Sequence, residues 1–263
     1  MRLTTYFAAL ITMLVVAFLV GPTILSIMAG LSVNYARGIA GGVTLTWVFE
    51  VWEGYADTIL RSIVVALATL AITLIIGVPA GYALVRQGGR FAQFVEEIVT
   101  LPVAIPGLAL ALALLIAYGG FGTFRGSILF IITGHVLYTL PFMLRAVMAI
   151  LSSFDWRSMD EGGASLGASQ WRRFIDIILP NAKPGILAGA LTVVTLSIGE
   201  FNLTWMLHTP LTKTLPVGLA DAYASLRLEI ASAYTLVFFA MIMPMLLALQ
   251  WFAHSGGRAA FRS

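Results

Sequence analysis

SIVVALATLAITLIIGVPAGYALV, residues Ser62–Val85, is an apolar run without Lys, Arg, Asp or Glu. A helix needs about 20 mostly apolar residues to cross the hydrocarbon core of a bilayer. This run is long enough, and it lacks the two-residue alternation of a barrel strand. Five more stretches read the same way. Phe7–Leu31, Ile98–Phe124, Gly126–Leu144 and Ile230–Trp251 also lack those four residue types, and Ile186–Leu207 holds one of them, Glu200. The composition agrees: 60% of the 263 residues are hydrophobic and 10% are charged. A soluble domain would carry roughly a quarter charged residues. The chain therefore reads as an all-α integral membrane protein with six transmembrane helices.

The first run is expected to be an uncleaved span, because its apolar core far exceeds the roughly 7–15 residues of a signal peptide. With no cysteine, disulfides, thiolate metal sites and cysteine nucleophiles are excluded. No metal site or nucleophile–base pair is legible at membrane depth, so no catalytic or metal-binding residue is assigned. Lys and Arg placement gives the orientation. Arg2, Arg86, Arg90, Arg145, Arg157, Arg172, Arg173, Lys183, Arg258 and Arg262 fall on one side of the six-span arrangement; Arg37, Arg61, Arg125, Lys213 and Arg227 fall on the other. The ten-to-five bias places both termini and the loop 152–184 in the cytoplasm. The basic residues form no stripe on a soluble face, which argues against a nucleic-acid partner.

Proline marks irregular spans. Pro102 and Pro106 lie four residues apart in the third run, and each removes a backbone donor. They predict either a broken helix lining a pathway or a packing kink, and Gly119, Gly120 and Gly122 are expected to close the run early. Glu200 is the lone acid of its run, with Asn202 and Thr204 nearby. A carboxylate inside a span costs at least about 2.5–3.5 kcal/mol on insertion scales, so it faces either a cavity or a partner helix. His135 and Tyr138, at i and i+3, are read either as pathway-facing or as packing residues. The stretch Ile39–Asp57 carries Trp47, Glu50, Trp52, Glu53 and Tyr55, expected as an outer loop that anchors at the interface or receives a partner.

The loop between the fourth and fifth runs is polar and patterned. Ser158 and Glu161 fit a capping box. Gly167 suits the positive φ that ends a helix, and Ser169 suits the cap of a second one. Trp171, Phe174, Ile175 and Ile178 predict one apolar face, with Arg172 and Asp176 as an i, i+4 pair. Pro180 is expected to stop that second helix and Pro184 to open the next span.

Glu161, Gly167, Ile177, Leu179 and Pro180 together make the spacing Glu-x5-Gly-x9-Ile-x-Leu-Pro. This resembles the loop signature of permease subunits of bacterial binding-protein-dependent ABC importers. Gly162 and Gly163 depart from the usual Ala-Ala pair, and glycine costs about 1 kcal/mol relative to alanine inside a helix. Leu101–Gly107 and Ser197–Phe201 are also similar to the subgroup that imports polyamines, thiamine, iron, 2-aminoethylphosphonate or oxyanions. The resemblance implies a type I ABC importer permease fold, with a first helix and outer loop at 1–57, a core at 58–252 and a cytoplasmic tail at 253–263. It implies ATPase coupling through Glu161, Gly162, Gly163, Ala164, Leu166 and Gly167, and half of a membrane pore; the residues read above as candidates to line that pathway are Glu200, Asn202, Pro102, Pro106, His135 and Tyr138. It also implies partners: separate ABC ATPase subunits that bind ATP and Mg, a second permease identical or homologous, an external solute-binding protein, and the lipid of the bacterial inner membrane. The chain itself has no Gly-x4-Gly-Lys-Ser/Thr loop, so no cofactor is expected on it and it is not expected to be an enzyme. The solute is expected to be a small amine-containing compound such as a polyamine or 2-aminoethylphosphonate. The alternative is a secondary transporter or channel working without an ATPase.

Overall fold

A computed structural model describes residues 2–260, with side chains described for 6–248, 250 and 251. The described residues are almost wholly helical, and their one β feature is an isolated antiparallel bridge between Ser32 and Val43. The long helices are α1 (Arg2–Gly30), α2 (Thr46–Gln87), α3 (Gly89–Ala104), α4 (Gly107–Tyr118), then the short α5 (Gly122–Arg125), followed by α6 (Ile128–Leu151). After them come α7 (Trp156–Ser165), α8 (Gln170–Arg173), a π turn (Phe174–Ile178), α9 (Leu179–Gly199), α10 (Asn202–Leu207), α11 (Leu215–Ala224) and α12 (Leu228–Ala260). Among the described residues five helices are long and apolar enough to cross a membrane, six when the bent pair α3–α4 counts as one span. Residues 261–263 of the expected tail, with Arg262, lie outside the described residues, and α12 runs on to Ala260.

The chain divides into two compact units. The first comprises residues 1–60 and 214–242. In it α1 meets α12 at Gly30, where a Cβ would lie 2.6 Å from the backbone of Ser232 and Ala233, and Ser26 donates to Thr235 at 3.2 Å. The stretch expected as an outer loop is helical from Thr46 onward, with a kink at Tyr55 (φ −135°, ψ 17°). Several of its polar groups are engaged inside the unit. Trp47 Nε1 donates to the Ser32 carbonyl at 2.9 Å, Arg227 pairs with Glu50, and Arg227 donates to the Tyr55 hydroxyl at 3.1 Å.

The second unit comprises residues 61–213 and 243–263. Its centre is the packing of α6 on α9. Gly185 and Gly189, one turn apart, face α6, and a Cβ at Gly185 would sit 2.8 Å from the Ala146 carbonyl oxygen. Small residues at this spacing let two membrane helices approach closely. Met143, Val147, Val193 and Ile178 are buried around that contact.

One alternative is decided here and other expectations are corrected. Between a broken helix and a packing kink, the third run is broken: α3 and α4 meet at 106°. Pro106 forces the preceding Ile105 into extended backbone (φ −89°, ψ 130°), and Pro106 then starts α4. Gly119 closes α4 as expected. The fifth run begins earlier and ends earlier than its apolar limits. Helix continues without interruption from Gln170 to Gly199, then breaks at Glu200 (ψ 121°). Pro180 therefore stops nothing, and Pro184 lies inside α9. The helix absorbs Pro180 by widening just before it: the Leu179 N–H reaches back five residues to the Phe174 carbonyl, and Asn181 Nδ2 donates to the Ile177 carbonyl at 2.7 Å.

Candidate functional site

The polar loop folds as a helix, an elbow and a second helix. The cap of α7 is Asp155, not Ser158. Asp155 accepts the backbone N–H and the hydroxyl of Ser158, so Ser158 sits inside the first turn and Glu161 does not reach back. Those two hydrogen bonds hold the Asp155 carboxyl below the usual carboxylate range. The C-terminus closes with a double bond pattern. The Gly167 N–H donates to the Ala164 carbonyl at 2.9 Å and the Ala168 N–H to the Gly163 carbonyl at 3.0 Å. That pattern requires a left-handed residue after the cap, and Gly167 supplies it with φ +80°. Ser169 caps the next helix by accepting from the Arg172 N–H, and Arg172 meets Asp176 at 3.3 Å on the exposed side.

Of the residues assigned to coupling, Glu161, Gly162, Ala164, Leu166 and Gly167 are exposed, Leu166 at 89%. Gly163 is buried: a Cβ there would come within 2.8 Å of Ile177 Cδ1 and 3.1 Å of Arg173 Cγ and Cδ. The apolar face differs from the one expected. Phe174 and Ile178 are buried, while Trp171 is 69% and Ile175 40% exposed. Behind the elbow Tyr82 of α2 packs its ring against Trp156 at 6.0 Å and Phe174 at 5.1 Å.

The second group lies where two helix breaks meet. At the end of α9 the Glu200 carboxylate turns onto the start of α10. Its Oε1 accepts the Leu203 N–H at 2.7 Å, and its Oε2 accepts both the Thr204 N–H and the Thr204 hydroxyl at 2.9 Å. The acid thus satisfies donors that a helix start leaves orphaned. His135 of α6 stands beside it, with Nε2 3.7 Å from Oε2 and the ring 1% exposed. Nδ1 lies 2.8 Å from Ser197 Oγ and Nε2 2.8 Å from Thr204 Oγ1. Because Thr204 gives its proton to Glu200, a neutral ring protonated on Nε2 and accepting from Ser197 at Nδ1 satisfies every member.

The break between α3 and α4 abuts this network. A Cβ at Gly107 would fall 3.2 Å from Asn202 Cβ and 3.7 Å from Glu200 Oε1. Glu200, His135, Asn202 and Pro106 are therefore neighbours, with Asn202 and Pro106 exposed and Glu200 8% exposed at its side chain. Pro102 sits inside the last turn of α3. Tyr138, one turn along α6 from His135, is half-buried and packs edge-on to Phe142 at 6.1 Å.

Sequence reasoning missed Asp155, Asp160, Arg173, Ser197, Gly107 and Gly134. Gly134 had a signal in principle, as a small residue inside a span: a Cβ there would strike Leu203 Cδ2 at 2.4 Å. Asp160 and Arg173 had none, since their pairing depends on how the elbow folds.

Residues 73–255 match the family described as "Binding-protein-dependent transport system inner membrane component". The chain is 26% identical over 249 residues to the "Putative 2-aminoethylphosphonate transport system permease protein PhnV" of Salmonella typhimurium, covering 94% of each chain. It is 28% identical over 217 residues to the molybdate/tungstate transport system permease protein WtpB of Methanocaldococcus jannaschii, covering 80% of this chain and 84% of that one. In fold it is similar to a chain of a bacterial ABC transporter involved in the import of the acidic polysaccharide alginate, with a TM-score of 0.73 at 17% identity over 97% of this chain and 96% of that one. The family match covers more than half of the sequence and contains both the elbow and the facing breaks. This chain belongs to the binding-protein-dependent transport system inner membrane components and is a multi-pass permease of an ABC importer.

Proposed function

We propose that this permease lies in a bacterial inner membrane, that α7 grips a separate ATPase, and that the chain pairs with a second permease to enclose the pathway. The observation that carries the coupling is the elbow. A helix capped at both ends, anchored behind by Tyr82, Trp156 and Phe174, turns Glu161 and Leu166 outward where none of the described residues covers them. A rigid, exposed, partly apolar helix end suits a protein partner. ATP and Mg bind on that partner. Both termini and the elbow are cytoplasmic, supported by the Lys and Arg bias, and an external binding protein delivers the solute, as the family description supports. The alternative of a transporter without an ATPase gives the elbow no purpose.

The solute is a small compound of the 2-aminoethylphosphonate kind. The support comes from relatives named for 2-aminoethylphosphonate and for molybdate or tungstate, which share a compact tetrahedral oxyanion. Glu200 lends little to an amine preference, because both of its oxygens are occupied by α10. The test is Glu161→Lys beside the parent chain. The variant is expected to insert at normal abundance and to lose the ATPase on co-purification by tenfold or more; retention of the ATPase removes the docking assignment.

A further inference from the structure

We infer that Asp160 and Arg173 are a positioning pair that locks α7 to the uninterrupted helix Gln170–Gly199, so that whatever moves α7 moves the span. The inference rests on the reading of α7 as the helix an ATPase grips, and it concerns what happens behind that grip.

The two residues face each other across the elbow. Arg173 Nη1 lies 3.4 Å from Asp160 Oδ2 and donates to the Asp160 backbone carbonyl at 3.0 Å. Their side chains are only 12% and 10% exposed. One guanidinium nitrogen therefore holds both the side chain and the backbone of a residue in the middle of α7. The stem of Arg173 crosses α7 at Gly163, where a Cβ would come within 3.1 Å of Cγ and Cδ. A glycine at the second position of the usual Ala-Ala pair thus has a local reason: it gives the arginine its path.

The choice of charges is informative. A buried ion pair is a weak source of stability, because desolvation offsets most of the attraction, and its best-attested use is to fix one geometry. Here Asp160 Oδ1 and Arg173 Nε are buried and have no hydrogen-bond partner among the described residues, so the pair is not fully satisfied by its protein surroundings. Apolar residues would pack this corner with less cost, but without direction. The pair instead fixes the angle between α7 and α8. From Arg173 the helix runs through the π turn to Gly199, where Glu200 takes hold of α10. A helix of 30 residues is about 45 Å long. Fixed at one end by Arg173 and at the other by Glu200, it joins the elbow to the facing breaks as one body.

The test uses spin labels on cysteines placed at the exposed positions Arg157 and Asp176, in the full chain with its ATPase. The distance between labels is measured by pulsed electron resonance with and without MgATP. The parent is expected to give one narrow distribution that MgATP leaves in place. Arg173→Gln and Asp160→Asn are each expected to at least double its width, and the double variant to be no wider than either single one. Arg173→Lys, which keeps the cation, is expected to stay narrow; that rescue separates charge from bulk. Narrow distributions in both single variants, equal broadening by Gln and Lys, or a parent distance that shifts with MgATP would each overturn the inference. Two single variants on different helices keep the test decisive if one fails to purify folded. Capture of the ATPase by the parent is scored separately: its failure removes the docking reading, while the widths without nucleotide still decide the clamp.

Discussion

The Glu200 carboxylate is held by the start of α10. Its lone charge in an apolar run made it visible, because an acid at membrane depth demands a partner. The partner turned out to be backbone. Three donors from α10 converge on the carboxylate, a pattern no periodicity reveals, because it exists only where α9 stops. Glutamine at this position keeps one acceptor oxygen and presents an amide where an acceptor is needed. Glu200→Gln is therefore expected to lower the unfolding free energy by about 1–3 kcal/mol, read as a fall in the thermal midpoint of the detergent-purified chain. An unchanged midpoint would mean the carboxylate does not hold α10. Asp155 carries the sign of a pH effect. Its carboxyl is depressed in the folded state, chiefly by the Ser158 hydroxyl, so its cap is fully present above the ordinary carboxylate pKa. The contribution is lost as pH falls through the lower folded value. The fraying of α7 that follows is expected on acidification below the ordinary value of 3.8, read as loss of amide-exchange protection at residues 156–160 while the Ser158 cap partner is left in place.

The elements were legible to the degree that their causes are local. Gly167 and Ser169 took their expected places because left-handed backbone and a helix cap are demands of a few residues. The capping box failed by one turn, because Asp155 competes with Ser158 for the same task and starts the helix earlier. The bend between α3 and α4 was half legible. Two prolines announced a disruption, but a bend of 106° needs α10 and Gly107 beside it. Pro180 misled most: a proline ends a helix unless the backbone widens to admit it, and the π turn does so. The two departures from Ala-Ala now separate. A Cβ added at Gly162 would meet nothing within 4 Å, while Gly163 lies under Arg173. Gly162→Ala is expected to stabilise α7 by about 0.5–1 kcal/mol, seen as slower amide exchange from 156 to 165. Faster exchange there would contradict the packing described.

At the scale of the molecule, composition alone sufficed for the class: charge this scarce leaves lipid as the solvent. The number of spans followed from length, and the structure returns six only when α3 and α4 are counted together. Two things were out of reach. The division into units groups residues 214–242 with the first sixty, a long-range association that apolar runs do not encode. From Thr46 the stretch before Asp57 is helix, and its Glu50 and Tyr55 find partners near α12. Orientation is tested by single cysteines, since the chain has none of its own. Gln170 is exposed and spares the Ser169 cap, and Ser225 is exposed on the other side of the six-span arrangement. An impermeant thiol reagent added to cells with a permeabilised outer membrane is expected to label position 225 and not 170; the reverse would invert the orientation.

The elbow of this permease is proposed as the place where an ATPase takes hold, and physical contact tests that docking most directly. Leu166 is 89% exposed at the tip of α7, so a photo-activatable cross-linker on Leu166→Cys reports what lies against it. The expected product joins this chain to the ATPase subunit, at a yield at least tenfold above the same probe on Ser225→Cys. No ATPase product at position 166, or equal yields at both positions, would contradict the account.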